Sequence, residues 1–221
     1  MLFDGLSVVV AGAGVTGASA ARVLRSRGAK VMILDDKASE LEDFEVVRRL
    51  PDQVDLVVTS PGFRPTTPAL LAALNQGIEV IGDVELAWRV RPEHAAPWLA
   101  LTGTNGKTTS VKMLERMLGA AGHRVVAAGN VGLPLLDVVL SPEPYDVLAV
   151  ELSSFQLHWS SSIRPAAAAI LNLADDHTDW HGSFREYVAA KERILRADVA
   201  LGHADPSVLR ALPAPAATLP V

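Results

Sequence analysis

Thr102-Gly-Thr-Asn-Gly-Lys-Thr-Thr109 follows an apolar run, Trp98-Leu-Ala-Leu101, that reads as a buried strand. It leads into residues 110–121, where Val111, Met113, Leu114, Met117 and Leu118 recur at helical spacing. Strand, glycine-rich turn with Lys-Thr, then helix is the layout of a phosphate-binding loop. Glycines let backbone N–H groups close around an anion, and the helix N-terminus adds the positive end of its dipole. The nucleotide-binding set is then Gly103, Thr104, Asn105, Gly106, Lys107, Thr108 and Thr109. Lys107 would reach the outer phosphates, and Thr108 or Thr109 would place a hydroxyl on a magnesium ion. The fit to Gly-x-x-x-x-Gly-Lys-[Ser/Thr] is incomplete, because Leu101 stands where the first glycine belongs. The competing explanation is an ordinary helix start with threonine caps. Gly-Lys-Thr-Thr directly after a buried strand favours a nucleoside triphosphate site.

The chain of 221 residues has room for one large domain or two small ones. Lys+Arg number 20 against 25 Asp+Glu, so no basic excess exists to neutralise nucleic-acid or membrane phosphates. The absence of cysteine excludes disulfides, thiolate catalysis and cysteine-based zinc sites. Met1-Leu-Phe-Asp-Gly5 runs straight towards a strand instead of forming a charged-then-apolar leader. No apolar run is long enough to span a bilayer, so a cytoplasmic protein is expected.

Residues 6–11 form a continuous apolar strand, followed at once by Gly12-Ala-Gly-Val-Thr-Gly17. Residues 18–27 read as a helix ended by Gly28, and residues 30–34 as a second strand closing on Asp35-Asp36. This βαβ unit carries the dinucleotide fingerprint, Gly-x-Gly-x-x-Gly with an acid about twenty residues on. The motif places a diphosphate or ribose over the turn without saying which nucleotide; a tight turn with no ligand is the plain alternative. A charged helix is expected over 40–50, a strand over 54–59, and a turn at Ser60-Pro-Gly62, at the strand end where ligands gather in open α/β sheets. A helix over 68–76, a strand over 78–81 and a helix over 83–91 follow. The proline-bearing stretch 91–97 marks a boundary, giving expected domains of 1–93 and 94–221. About ninety residues is short for a full two-halved dinucleotide fold. An NAD-dependent oxidoreductase built on this unit would leave the phosphate loop unexplained.

In the second half, a strand over 124–128 ends in Gly129-Asn-Val-Gly132, and a strand over 145–151 ends in Glu151. An acid ending an apolar strand beside a phosphate loop is where nucleotide-hydrolysing folds hold magnesium, although a strand-end Glu is also an ordinary solvated terminus. A strand over 166–173 precedes Ala174-Asp-Asp-His-Thr-Asp-Trp-His181, dense in possible ligands. Its bland reading is a polar loop with an Asp capping the helix that starts near Phe184. His177 and His181 are four apart but lack the zincin glutamate. The helix over 184–196 carries Tyr187, Val188, Ile194 and Leu195 inward; Lys191 is an ordinary surface lysine unless the fold aims it into the cleft. A strand is expected over 199–202, and residues 206–221, rich in Ala and Pro, give no clear element. The expected fold is α/β: a Rossmann-like parallel-sheet domain followed by a P-loop-type α/β domain.

The motifs together resemble the Mur ligases of peptidoglycan precursor synthesis. The resemblance rests on Gly12-Ala-Gly-Val-Thr-Gly17, Ser60-Pro-Gly62, Gly82-Asp-Val-Glu-Leu86, Thr102–Thr109, Gly129-Asn-Val-Gly-Leu-Pro134, Glu151-Leu-Ser-Ser-Phe-Gln-Leu157, Asn172, Asp176-His177 and Ala190-Lys191, collinear over nearly the whole chain. The segments at 82–86 and 151–157 resemble the D-glutamate-adding branch. The resemblance implies an ATP-dependent amide ligase that joins D-glutamate to UDP-N-acetylmuramoyl-L-alanine through an acyl phosphate. It reassigns the first glycine turn to the UDP end of the substrate, with Val15, Thr16, Asp35, Asp36, Ser60 and Gly62 as contacts. Asp36-Lys37 departs from the Thr-Arg pair expected there. Catalytic roles pass to Lys107, Asn130, His177 and Lys191, and substrate contacts to Asn130, Ser153, Gln156 and His177. Thr108, Glu151, His177 and Lys191 would serve two magnesium ions, with Lys191 carbamylated. The implied partners are small molecules acting on a monomer. The family also has a C-terminal ligase domain, so this chain is expected to be a truncated piece, inactive alone. A sibling such as a folylpolyglutamate synthase should lack the separate Gly-x-Gly-x-x-Gly domain.

Overall fold

Two runs of β-branched and aliphatic residues, Val8–Ala11 and Leu56–Val58, are buried on both faces, as in parallel strands covered by helices on either side. The computed structural model describes residues 2–38, 40–202 and 217–218. They divide into two compact units, 1–86 and 87–221.

The first unit runs β1 (Ser7–Ala11), α1 (Val15–Ser26), β2 (Lys30–Leu34), β3 (Glu45–Val47), β4 (Leu56–Thr59), α2 (Pro68–Asn75), β5 (Glu79–Gly82) and the start of α3 (Asp83–Val90). The sheet order is β3-β2-β1-β4-β5, with every ladder parallel. The chain builds outward from β1 to β2 and β3, then crosses to β4 on the other side. The switch point therefore lies between the carboxyl ends of β1 and β4, where open α/β sheets form their ligand crevice. Gly17 fixes the entry to α1, since a Cβ there would stand 1.9 Å from the Gly12 carbonyl oxygen.

The charged helix expected over 40–50 does not form. Glu45–Val47 instead pairs with Met32, Ile33 and Leu34 as an edge strand. Ion pairs from Arg22 to Glu42 and from Arg25 to Asp43, with Arg25 over the Phe44 ring, tie the preceding turn to α1. Tertiary anchoring overrides a local charge pattern here. The units divide within α3, between Leu86 and Ala87, upstream of the proline-bearing stretch.

The second unit contains β6 (Trp98–Thr102), α4 (Lys107–Ala120), β7 (Val125–Gly129), α5 (Leu135–Val139), β8 (Val147–Glu151), α6 (Ser154–His158), β9 (Ala167–Ile170), α7 (Thr178–His181), α8 (Phe184–Glu192), a 3₁₀ turn (Arg193–Arg196), β10 (Val199–Gly202) and β11 (Ala217–Thr218). The sheet order is β11-β10-β9-β6-β8-β7, again all parallel. Parallel pairing brings the carboxyl ends of β6, β8, β7 and β9 to one edge, with Leu101 opposite Glu151 and Thr102 opposite Ile170.

α4 packs on the sheet through Val111 and Leu114, against Leu101, Ala127 and Ala149. Met113 and Met117 fall on the opposite face, 59% and 68% exposed, so the inward stripe is narrower than the sequence pattern. The helix expected over 184–196 tightens to 3₁₀ at Arg193. Its N-cap is Ser183, whose Oγ accepts from the Glu186 N–H, not one of the upstream aspartates. Of the tail 206–221, all but β11 lies outside the described residues.

Candidate active site

The second unit's site is built at the carboxyl end of its sheet. β6 ends at Thr102, the loop turns through Gly106 in the left-handed conformation, and α4 starts at Lys107. Next to it β8 delivers Glu151, which is 1% exposed. The Thr108 hydroxyl donates to Glu151 Oε2 (2.9 Å) and Asn130 Nδ2 donates to Oε1 (2.9 Å). Both carboxylate oxygens are thus held, as burial of a charge requires. The Asn130 N–H also donates to the Glu151 carbonyl at 2.8 Å. That approach needs Gly129, at φ +105°, where a Cβ would stand 2.3 Å from the same carbonyl oxygen. A hard carboxylate and a hydroxyl side by side suit magnesium, which typically takes one or two protein oxygens and completes its shell with phosphates and water. Among the described residues no three His, Asp or Glu side chains form a metal cage.

Lys191 is not a surface lysine. It is 2% exposed, and Nζ donates to the Gly103 carbonyl (2.8 Å) and the Thr102 hydroxyl (3.2 Å). Burial, with Lys107 nearby, pulls its ammonium down to about 7. Lys107 Nζ donates to the carbonyls of Gly103 (3.0 Å) and Thr104 (2.9 Å), so both amines converge on Gly103. One turn before Lys191, the Tyr187 ring lies 4.8 Å from its Nζ and the Tyr187 hydroxyl bonds Thr104 Oγ1 at 2.8 Å. Burial raises the Tyr187 phenol. Asn105 and Asn172 exchange hydrogen bonds, tying the loop to the end of β9.

Gly103, Thr104, Lys107, Ser153, His177 and Lys191 line one small cavity together with Ser154, Phe155, Asp176 and Tyr187. His177 has φ +52°, a strained conformation for a non-glycine residue. Its ring packs on Phe155 and its Nε2 lies 3.4 Å from Asp176 Oδ2. Gln156 is placed differently. It is buried and forms a capping box with Ser153, its Oε1 accepting from the Ser153 N–H at 3.0 Å. Thr109 is exposed on the first turn of α4, so of the two candidate threonines it is Thr108 that meets Glu151. Tyr187 faces inward as its helical spacing predicts, and its spacing of four from Lys191 is the sequence signal for its place in the site, since residues so spaced share a helix face. His181 Nε2 lies 3.0 Å from Ser154 Oγ.

In the first unit, a cleft of about 610 Å³ opens at the switch point. One wall is Gly12-Ala13-Gly14 and the other runs from Ser60 to Thr67, with Asp35 at the base. Asp35 accepts backbone N–H bonds from Ala13 (2.9 Å), Lys37 and Ala38 (both 2.8 Å), which hold its carboxyl below the usual range. Asp35, Ser60 and Gly62 line this cleft; Val15, Thr16 and Asp36 are not among its lining residues.

Fold and site define a class: α/β proteins with one parallel sheet built on a glycine fingerprint and a second built on a phosphate-type loop. Within it, residues 6–82 match the Mur ligase MurD-like N-terminal domain and residues 101–204 the Mur ligase middle domain. The chain belongs to the Mur ligase family. It is 52% identical over 206 residues to UDP-N-acetylmuramoylalanine--D-glutamate ligase of Streptomyces avermitilis, covering 87% of this chain and 44% of that protein. It is 51% identical over 213 residues to the enzyme of the same name from Thermobifida fusca, covering 89% and 46%. The chain thus spans less than half the length of these relatives. The fold is shared with UDP-N-acetylmuramate:L-alanyl-gamma-D-glutamyl-meso-diaminopimelate ligase from Neisseria meningitides, at TM-score 0.56 and 18% identity over 94% of this chain and 74% of that one. It is also shared with MurF ligase from Thermotoga maritima in complex with ADP, at TM-score 0.51 and 18% identity over 98% and 47%.

Proposed function

We propose that this chain supplies the nucleotide-substrate and ATP-binding parts of a cytoplasmic ligase that joins D-glutamate to UDP-N-acetylmuramoyl-L-alanine. The observation that carries the reading is the buried Glu151 carboxylate, held between Thr108 and Asn130 at the mouth of a phosphate loop with two lysines converging on Gly103. Relatives at half identity bear that enzyme's name.

In this reading the terminal carboxylate of the muramoyl substrate attacks the γ-phosphorus of ATP. An O–P bond forms and ADP departs. The amine of D-glutamate then attacks the acyl carbon, the C–O bond to phosphate breaks, and the amine loses a proton. Anion must meet anion in the first step, so positive charge has to lie over the phosphates. Lys107 provides it, exchanging its contacts with the Gly103 and Thr104 carbonyls for phosphate oxygens. Asn130 and His177 orient the reacting carboxylate, and Ser153, on the cavity wall with His177, contacts the same substrate. Thr108 and Glu151 would hold one magnesium ion, His177 and Lys191 a second, and such ions would supply positive charge against the phosphates.

Lys191 enters the second site as a carbamate. A buried amine whose proton leaves near neutral pH presents a lone pair to carbon dioxide; an N–C bond forms, one proton is released, and the product is an oxygen ligand. The remaining N–H can still donate to the Gly103 carbonyl.

The test is calorimetry of the purified chain with UDP-N-acetylmuramoyl-L-alanine and with NADH, side by side. Saturable binding of the muramoyl nucleotide alone is expected. Binding of NADH alone would overturn the assignment of the first unit.

A further inference from the structure

We infer that Arg64 is the cation that receives the diphosphate of the uridine nucleotide. The inference rests on the reading of the first unit as a UDP site.

The cleft at the switch point is short of positive charge. Among the described residues that line it, Arg64 is the sole base and Asp35 the sole acid. Asp35 is already engaged with three backbone N–H groups from Ala13, Lys37 and Ala38, so its charge is committed to shaping the turn. Lys37 gives its backbone N–H to that carboxylate and is not among the lining residues. A nucleoside diphosphate seated on the glycine turn would therefore find backbone N–H groups and the dipole of α1 on one wall, but no side-chain charge there.

The opposite wall provides it. β4 ends at Thr59, and the following turn folds back over the glycine turn. The Phe63 N–H donates to the Ser60 carbonyl (3.1 Å) and the Ser60 hydroxyl to the Ala11 carbonyl (3.1 Å). The Phe63 ring lies so close over Gly12 that a Cβ there would meet it at 3.1 Å. Thr67 N–H then donates to the Arg64 carbonyl at 2.9 Å, just before α2 begins at Pro68. Both sides of Arg64 are thereby anchored to secondary structure, and its planar fork suits two phosphate oxygens at once. Because the cleft opens to solvent at Arg64, the interaction is partly screened and its strength should depend on salt.

The experiment compares UDP, UMP and uridine binding by calorimetry to the wild-type chain, Arg64→Ala and Arg64→Lys. Arg64→Ala is expected to weaken UDP about tenfold, UMP less, and uridine not at all, since a charge-assisted hydrogen bond is lost only where phosphate is present. Arg64→Lys should recover part of the UDP affinity. UDP bound equally well by wild type and Arg64→Ala would overturn the inference and leave the UDP reading standing. An equal loss for uridine would also overturn it, by assigning Arg64 to the shape of the loop. A wild-type chain that binds none of the three would overturn the UDP reading itself.

Discussion

Lys191 on α8 and Glu151 at the end of β8 face opposite problems beside the same loop. Lys191 is buried, and among the described residues no carboxylate forms an ion pair with it, so its proton is held weakly. Its ammonium titrates near 7 in the fold and near 10.5 when unfolded, so between those values the unfolded chain binds more protons. Stability must then rise with pH across that window, by at most about 1.4 kcal/mol per pH unit. In carbon-dioxide-free buffer, urea midpoints measured from pH 7 to 10 should rise for the wild type and stay flatter for Lys191→Met. A slope unaffected by the substitution would mean that the buried amine does not titrate there. Glu151 has its charge answered by two donors. Glu151→Gln keeps the volume but presents an amide NH₂ to one of them, and it removes the negative charge beside Thr108. Magnesium-dependent ATP binding should weaken by about tenfold or more, the scale of a lost charged interaction. ATP affinity in excess EDTA should change far less. Equal loss in both conditions would remove Glu151 from the metal assignment.

The three shortest helices of the second unit, α5, α6 and α7, span four or five residues each, too few to display a helical period. What stops α6 and α7 from being loops is partly local, the Ser153–Gln156 capping box of α6, and otherwise tertiary: the His181–Ser154 hydrogen bond and the contacts of Phe155 and His158 with Trp180 and His181. The sequence displayed the ligand-rich stretch 174–181 but not the apolar seat under it, so this element was legible as chemistry and not as structure. Longer elements read correctly from local pattern: β1, α1, β6 and α4 follow from an apolar run, a glycine turn and a periodic face. Burial of Lys191 was not legible, because it depends on how α8 lies against the loop. The ring cluster has a cost in acid. Burial, with Arg193 near His158 and His158 near His181, lowers both imidazoles to about 4 from an ordinary 6.5. The unfolded chain then holds more protons between 4 and 6.5, so stability falls as pH drops through that range. Each histidine contributes up to about 1.4 kcal/mol per pH unit. His158→Phe should lose less stability between pH 7 and 5 than the wild type, read as the shift in urea midpoint. An identical shift would show that His158 is not desolvated as described.

Each sheet closes within its own unit, and no strand ladder joins them among the described residues. Both sheets place their glycine turns at carboxyl strand ends beside a switch in strand order, which is why two unrelated motifs in the sequence map onto two equivalent places in the fold. Each unit also has a glycine that the packing cannot replace. A Cβ on Gly17 would stand 1.9 Å from the Gly12 carbonyl oxygen, and one on Gly129 would stand 2.3 Å from that of Glu151. In both cases the obstacle is backbone, so relief requires moving a strand end, and the expected destabilisation is about 3 kcal/mol, at or beyond the upper part of the usual overpacking range. Native-state hydrogen exchange can read where that loss is felt. Gly17→Ala should speed exchange of the β1 and β4 amides, Val8 to Val10 and Val57 to Val58, while β6 and β8 keep their protection. Gly129→Ala should do the reverse. Cooperative units of exchange follow supersecondary packing, and here each sheet lies within one unit. Acceleration spreading evenly over both sheets from either substitution would mean that the chain opens as one cooperative body, and that the division at Leu86 is geometric without being energetic.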